Sequence, residues 1–313
     1  MKRSLSGWVL ILLPLLLSTT GCLFRTRPVE QEYSKAPLLE ATQQELISAV
    51  NNQAEKIHSL QATVDIDTSA GGAKEGHITD YKEIRGYVLA RKPAMLHMIG
   101  LMPIVRTTAF DMVSNGQDFK LWIPPKNRFV VGNNEIQTLK PDRPMENIRP
   151  QNIYEALLIR PIDPDQEIAV LESSYEILHD PKGHAILQDD YELVVIRKVG
   201  NNDARLSRKI VFSRTDLHPT RQYIYDDEGR LVTDARYASY KDYNGVSFAS
   251  RLEIYRPMEE YDIKMNVLKM EINKPLTDEQ FTLAAPPGAE VEHLDRPQPN
   301  SSAAPVVEVN RKR

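Results

Sequence analysis

The stretch GYVLARKPAMLHMIGLMP, residues 86–103, contains two apolar runs on either side of Lys92-Pro93. A lysine–proline pair is typical of a turn, because proline fixes its own φ and restricts the residue before it. Each flanking run has the length and the branched apolar composition of a strand. The stretch therefore predicts an antiparallel β-hairpin, and this hairpin decides the fold class of the chain around it.

The chain on both sides continues with segments of the same kind. LQATVDID, residues 60–67, places its apolar side chains on one face of a strand and its polar side chains on the other. Further strand-like runs lie at 78–92, 94–102, 106–114, 118–124, 128–132, 173–180, 185–199, 205–214, 220–243, 246–256 and 261–273. Asn115-Gly116 and Asn244-Gly245 are typical hairpin turns between them.

Two segments have the periodicity of helices instead. Thr42 and Glu45 have capping-box spacing, which predicts an amphipathic helix at about 42–58, and PQNIYEALLI predicts a short helix at 150–159. So many antiparallel strands with so few helices predict a mainly β, α+β fold. We expect one large curved antiparallel sheet of about 11 strands, covered by a long N-terminal helix and short helices. A two-sheet sandwich is the alternative.

Composition excludes several classes of function. The 313 residues carry a net charge of -4 at pH 7, and an acidic chain binds nucleic acid poorly, so we expect no nucleic-acid partner. At 41% hydrophobic residues, the chain has enough apolar material for one substantial core or two small ones. Its one cysteine cannot form an intramolecular disulfide, and the sequence has no Cys/His constellation for zinc.

That cysteine, Cys22, follows an apolar segment and a small residue. Two basic residues precede WVLILLPLLL, residues 8–17, and the segment ends in Thr20-Gly21-Cys22. Ten apolar residues rise about 15 Å as a helix, roughly half of a bilayer core. The segment resembles a bacterial lipoprotein signal peptide, although Thr19 stands where that family usually has leucine. An ordinary cleaved signal peptide with an incidental cysteine is the alternative.

The lipoprotein resemblance implies a location. Residues 1–21 would be cleaved, and Cys22 would carry a diacylglyceryl group and an acyl chain such as palmitate, which anchors the chain in membrane lipid. Leu23 stands where an aspartate would retain such a protein at the inner membrane, so the resemblance implies the periplasmic face of the outer membrane. Residues 22–40 would then be a lipid-anchored tether, and residues 287–313, rich in Pro, Ala and Ser, a disordered tail.

The order of elements resembles the lipoprotein carriers LolA and LolB and related lipid-binding lipoproteins, over roughly residues 41–286. The motifs that carry the resemblance are Arg91-Lys92-Pro93 before an apolar strand, Asn115-Gly116, Leu121-Trp122-Ile123-Pro124, and Ile272-Asn273-Lys274-Pro275-Leu276 near the end. The resemblance implies a half-open β-barrel whose concave, apolar face is covered by helices and holds acyl chains. It also implies a lipid or lipoprotein ligand and a periplasmic carrier as possible partners.

A cavity for acyl chains requires flexible apolar side chains with few polar groups. The segment AMLHMIGLMPIVRTTAFDM, residues 94–112, is rich in such groups, and methionine is frequent in it. The candidate cavity residues are Leu96, Met98, Phe110, Met112, Leu121 and Trp122. An ordinary core in which methionine fills gaps is the alternative, because core and cavity lining look the same in one sequence.

The piece GLMPIV, residues 100–105, lies where LolB-like proteins carry an apolar loop that helps to pass the lipoprotein to the membrane. Leu101, Met102, Ile104 and Val105 would touch membrane or ligand, since an exposed apolar loop is otherwise an aggregation liability. A buried strand interrupted at Pro103 is the alternative interpretation.

No motif of the sequence indicates catalysis, and we expect neither enzyme activity, nor a metal site, nor a cofactor. His179 and His184 flank a Pro-Gly turn and are better interpreted as part of a solvated hairpin than as metal ligands. A serine-based triad assembles in space, so a sequence cannot exclude it. The leading hypothesis is binding of lipid or lipoprotein acyl chains in lipoprotein localisation or envelope lipid trafficking. The alternative is a tethered scaffold or sensor that interacts with envelope proteins.

Overall fold

The computed structural model describes residues 32–33, 37–74, 76–135, 144–180, 182–200 and 202–294. The predicted signal peptide at 1–21, the predicted lipid attachment site Cys22 and most of the predicted tether at 22–40 lie outside these residues. The chain divides into two compact units, a smaller one of Met1–Lys35 and Glu176–Gln188 and a larger one of Ala36–Tyr175 and Asp189–Arg313.

In the smaller unit, a two-residue strand, Glu32–Tyr33, pairs in parallel with Ile186 and Leu187. A turn follows His179, and in this turn Asp180 Oδ1 accepts hydrogen bonds from the backbone N–H groups of Lys182 and His184, both at 2.8 Å. The His184 ring lies 2.9 Å from the other oxygen, and this hydrogen bond lowers the pKa of Asp180. The segment with the two histidines is thus a hydrogen-bonded turn.

The larger unit begins with helix α1, Gln43–Lys56. The predicted capping box closes it: the Glu45 N–H donates to Thr42 Oγ1, and the Thr42 N–H donates to Glu45 Oε2 at 2.7 Å. Leu46, Val50 and Ala54 recur on one face and are buried. Helix α2, Pro150–Leu157, starts with proline at its first position, where the missing N–H costs nothing. Both predicted helices are confirmed. Among the described residues, neither helix is both long and apolar enough to cross a membrane.

Besides the two-residue strand, the described residues contain fifteen strands. They are β1 Ser59–Gly72, β2 His77–Asp80, β3 Ile84–Arg91, β4 Met95–Leu101, β5 Thr108–Ser114, β6 Asp118–Ile123, β7 Arg128–Asn133, β8 Glu167–His179, β9 Ala185–Lys198, β10 Ala204–Ser213, β11 Pro219–Tyr225, β12 Leu231–Tyr243, β13 Val246–Arg256, β14 Tyr261–Ile272 and β15 Glu290–His293.

The strand order runs β9-β10-β11-β12-β13-β14-β1-β3-β4-β5-β6-β7-β15; β8 pairs with β9, and β2 pairs with the end of β1. Among the described strands, the two ends of this order do not pair with each other, so the sheet is open. From β9 to β7 in this order, neighbouring strands pair antiparallel. Strand β15 pairs with β7 in parallel. The predicted class, a mainly β fold with one large antiparallel sheet, is confirmed, and the two-sheet sandwich is not observed.

The predicted count of about 11 strands is wrong, because the described residues contain these fifteen strands. The run at 78–92 is interrupted at 81–83, where β2 ends and β3 has not yet begun, and the run at 220–243 contains a full hairpin, β11 and β12. The polar residues Lys82-Glu83 and the stretch DDEGR, residues 226–230, mark these breaks, but each run was counted as one strand.

Strand β15 lies within the segment that the sequence assigns to a disordered tail. Its residues pair in parallel with Arg128–Val131 of β7. The side chain of Arg128 also forms ion pairs with two acidic residues. The Arg128 Nε lies 3.0 Å from Oε1 of the buried Glu146, and its guanidinium also pairs with Glu292 of β15. The fold therefore continues to residue 294, and the rest of the predicted tail lies outside the described residues.

Helices α1 and α2 cover one face of the sheet. Leu46 and Val50 of α1 pack with Leu193, Ile210 and Phe212 of β9 and β10. Two tyrosine hydroxyls fix helix α2 in place through hydrogen bonds to backbone carbonyls. Tyr154 donates to the Pro93 carbonyl at 2.7 Å, and Tyr237 donates to the Ala156 carbonyl at 2.8 Å.

A buried ion pair fixes the segment between α2 and β8. Arg208 of β10 and Glu167 of β8 are 2% and 1% exposed, and Arg208 Nη2 lies 3.0 Å from Glu167 Oε2. Arg208 also donates to the carbonyls of Arg160 and Pro161, both at 2.8 Å. Burial lowers the pKa of Arg208 to about 10, so the guanidinium still carries its charge at neutral pH.

Replacement of Arg208 tests how much this buried ion pair stabilises the fold. We expect Arg208→Met to lower the free energy of unfolding by about 3 kcal/mol, because it leaves the buried Glu167 carboxylate with only the half-exposed Arg160, at 2.6 Å, as a charged partner. Urea unfolding measures the change. The control is Arg197→Met, which removes an ion pair with Asp227 whose side chains are 43% and 58% exposed. Its expected effect is within about 1 kcal/mol, and equal losses in both variants would contradict the account.

Candidate functional site

A cavity of about 400 Å³ lies on the covered face of the sheet, and we call it the main cavity. Strands β1, β3, β4, β5, β6 and β14, with α2, contribute its lining, which is largely apolar. The residues that define its interior are Ile66, Met98, Phe110, Met112, Leu121 and Ile153. Its volume lies within the range of about 300–1,000 Å³ in which proteins hold small ligands.

The register of three strands explains why the methionines meet. Met98 of β4 lies directly opposite Met112 of β5, and Met112 lies opposite Leu121 of β6. Partners in neighbouring strands point to the same face of a sheet, so these three side chains form a row. Methionine is flexible and polarizable, which suits a lining that adapts to ligands of varied shape.

Two glycines make room for the bulky lining beside this row. Gly86 of β3 and Gly100 of β4 lie opposite each other. A Cβ at Gly86 would lie 2.4 Å from Ile66 Cδ1, and a Cβ at Gly100 would lie 2.4 Å from Phe110 Cε1. The isoleucine and the phenylalanine therefore lie directly over bare backbone, and this placement sets the shape of the cavity.

The outer part of the lining is exposed and partly charged. Tyr81 and Lys82 precede β3, and Lys126 lies in a short 3-10 helix, Pro124–Lys126, after β6. Both lysines are exposed, while Met98 and Met112 are only 2% and 3% exposed. The described lining thus changes from a buried apolar interior to a rim with two positive charges.

The predicted apolar loop lies next to this rim. Met102 and Pro103 line the main cavity, whereas Ile104 is 98% and Val105 67% exposed. The loop is closed by hydrogen bonds from the Met102 N–H to the Thr107 carbonyl, at 2.7 Å, and from the Arg106 N–H to the Met102 carbonyl, at 3.0 Å.

Ile104 has a φ of 67°, in the left-handed region that a β-branched residue rarely adopts. The conformation holds an isoleucine in water at a cost in free energy, a pattern that clusters at functional sites. Leu101, the last residue of β4, is partly buried.

The structure places four of the six candidate cavity residues in the lining: Met98, Phe110, Met112 and Leu121. Leu96 lies on the same face as Met98 but is fully buried, two residues nearer to the Lys92-Pro93 turn. Trp122 is next to Leu121 on β6, so alternation directs it to the opposite face, where its ring lies 6.4 Å from that of Phe129. Neither is among the residues that line the main cavity.

Sequence reasoning missed part of the lining. Ile66 of β1, Ile263 of β14 and Ile153 of α2 come from segments more than twenty residues away from the methionine-rich stretch. Each of the three lies in a predicted strand or helix, but only the pairing of β1 with β14 and the packing of α2 against the sheet bring them together. The sequence did not predict that the rim lysines lie beside the cavity, because isolated lysines in turns are common.

Comparisons with known proteins give similarity to solved structures alone. No family model and no curated protein matches the chain. A LolA superfamily protein from Nitrosomonas europaea is 16% identical, covering 78% of this chain and 99% of that one, with a TM-score of 0.45. A DUF1329 family protein from Desulfovibrio piger is 14% identical over 77% and 95% of the chains, with a TM-score of 0.47. A domain assigned to outer membrane lipoprotein sorting, from Vibrio parahaemolyticus, is 15% identical over 76% and 94%, with a TM-score of 0.46. Values this low transfer neither ligand nor function to this chain.

A methyl group at Gly100 tests how the cavity is built. We expect Gly100→Ala to lower the free energy of unfolding by about 1–3 kcal/mol, because the new Cβ overlaps the Phe110 ring and must displace it. Thermal or urea unfolding gives the value. Gly200→Ala is the matched control, since a Cβ there has nothing within 4 Å. If both variants were equally stable, Phe110 would not depend on the glycine for its place.

Proposed function

We propose that this protein binds the acyl chains of a lipid or lipoprotein in the main cavity, as an outer-membrane lipoprotein that faces the periplasm. The observation that carries the proposal is an apolar cavity of about 400 Å³ whose lining includes the buried side chains of Met98 and Met112. Among the described lining residues, none is a serine, histidine or acidic residue, so the binding that we propose in this cavity is non-covalent.

The energetics suit a reversible carrier. Each CH₂ group that leaves water contributes about 0.8 kcal/mol, so about ten buried groups supply roughly 8 kcal/mol before the costs of association are subtracted. A bilayer offers the same gain to the whole chain, and it becomes the better solvent when the cavity holds only part of the ligand. The ligand would then pass from the cavity to the membrane.

The rim and the loop have roles in this scheme. Lys82 and Lys126 present ammonium groups beside the exposed part of the lining, where a polar head of the ligand would remain in water. Ile104 and Val105 would enter the membrane surface and bring the rim close to the bilayer, since exposed apolar groups of this kind mark membrane or ligand contacts.

Anchoring through an acylated Cys22 would keep the carrier at the membrane that receives the ligand. A soluble periplasmic carrier would then be the donor. A tethered scaffold or sensor is the alternative, and a filled or charged covered face would favour it. The main cavity is neither filled nor charged in its interior, which favours the carrier.

Binding of a fluorescent acyl probe tests the proposal. We expect saturable binding to the purified protein, and displacement of the probe by a triacylated lipopeptide. Met98→Glu should weaken binding at least tenfold, because it places a carboxylate in the dry interior. Ala109→Trp fills the cavity without adding charge and should weaken binding as well. Leu268→Glu, at a residue that is 50% exposed, should bind like the wild type.

The loop is tested in the same system by transfer of bound probe to liposomes. Ile104→Glu should slow transfer and leave probe affinity unchanged, because Ile104 lies outside the cavity lining. A wild type that binds no probe at micromolar concentration, or an Ala109→Trp variant that binds normally, would contradict the carrier.

A further inference from the structure

A second cavity of about 200 Å³ lies between α1 and strands β10 to β13, and we call it the helix-side cavity. Its walls are mainly apolar and include Val50, Phe212, Leu217 and Phe248. The polar groups in this lining include Lys92, Ser247 of β13 and His218 in the turn before β11. Its lining shares no residue with that of the main cavity.

Ser247, His218 and Asp216 form a chain of contacts. Ser247 Oγ lies 3.0 Å from His218 Nε2, and His218 Nδ1 lies 3.1 Å from Asp216 Oδ2. A neutral imidazole with its proton on Nδ1 accepts a hydrogen bond from the serine hydroxyl at Nε2. Its Nδ1–H then faces the carboxylate of Asp216. The Nδ1 contact is short but not aligned as a hydrogen bond, and such contacts often tighten only when substrate binds.

The local structure holds the three groups in place. The other oxygen of Asp216 accepts from the His218 backbone N–H at 3.0 Å, so the carboxylate is fixed beside the ring. The imidazole stacks on Tyr240, with ring centroids 4.2 Å apart and planes 17° apart. Tyr240 is itself fixed, because its hydroxyl donates to the Pro219 carbonyl at 2.7 Å.

We propose that Ser247, His218 and Asp216 form a hydrolytic site for carboxylic esters with a small apolar acyl group, which the helix-side cavity would hold. A nucleophile, a base within hydrogen-bond reach and a third group that orients the base make up the arrangement of serine hydrolases on unrelated folds. This site goes beyond acyl binding in the main cavity and does not depend on it. It also departs from the expectation that the chain is no enzyme.

The reaction proceeds in two balanced steps. Ser247 Oγ attacks the ester carbonyl while His218 Nε2 takes its proton; the C–O bond to the alcohol then breaks, and the alcohol leaves with that proton. Water next attacks the acyl-serine ester with His218 again as base, which releases the carboxylic acid and restores the serine. Ser247 and His218 are the catalytic residues, and Asp216 is a positioning residue.

Gln53 of α1 is placed to stabilise the charge that develops on the carbonyl oxygen. It lines the helix-side cavity, and its Nε2 donates one hydrogen to the Ser247 carbonyl at 2.7 Å. An amide nitrogen has two hydrogens, so one remains available to an oxyanion beside the serine.

Reaction with an alkyl fluorophosphonate tests the site in the purified full chain. An activated serine displaces fluoride and forms a Ser–O–P bond, which intact-mass spectrometry and peptide mapping detect. We expect one adduct per chain, located on Ser247. Ser247→Ala should abolish it, and His218→Ala should slow labelling at least a hundredfold. Ser173→Ala, at an exposed serine of β8, should react like the wild type.

Hydrolysis of nitrophenyl esters separates catalysis from structure. Asp216→Asn retains an oxygen for the His218 N–H but loses the charge, so it should lower kcat at least tenfold and leave KM unchanged. Nitrophenyl butyrate should react faster than the palmitate ester, because the cavity is small. Thermal unfolding of each variant shows whether the fold persists. A wild type that neither labels nor hydrolyses, or labelling that persists in Ser247→Ala, would overturn the proposal. Loss of acyl-probe binding in the main cavity would not affect it.

Discussion

The fold depends on one constraint, the need to cover a long apolar face of an open antiparallel sheet. Thirteen strands, from β9 to β15 in the order given above, follow one another along the sheet, and at about 4.8 Å between neighbours they span roughly 60 Å. Helices of 14 and 8 residues are only about 21 and 12 Å long. Two such helices cannot cover a flat sheet of this width, so the sheet has to curve around them. Space that neither helix fills is then a natural consequence of the architecture, and the main cavity is such a space.

The shape of that space follows from details of register. Gly86 and Gly100 lie opposite each other and leave bare backbone under Ile66 and Phe110. The row from Met98 through Met112 to Leu121 follows from pairing across three strands. The Lys92-Pro93 turn between β3 and β4 therefore sets both the glycine pair and the start of the methionine row. Its neighbour α2 is tied to the same turn through the hydrogen bond from Tyr154 to Pro93.

Periodicity predicted most of this. The capping box of α1, the alternation of β1 and the hairpin at 86–103 are local features, and each was found where the sequence placed it. The predicted number of strands was too low, because the runs at 78–92 and 220–243 were each counted as one strand although polar residues interrupt both, at Lys82-Glu83 and at 226–230. Face assignment worked where alternation was strict, but Trp122 was grouped with its neighbour Leu121 although adjacent strand residues point to opposite faces. The cluster of Ser247 with His218 was beyond sequence reasoning, since 29 residues and a strand pairing separate its members.

The central claim is that acyl chains occupy the main cavity, and photo-crosslinking tests it most directly. A fatty acid with a diazirine near its methyl end would be bound to the purified protein and irradiated, and the modified residues would be mapped by mass spectrometry. The account predicts adducts on Met98, Met112 and Phe110 that disappear with excess unlabelled palmitate. Adducts confined to the exposed Ile104 and Val105, or a pattern that palmitate does not compete, would contradict it.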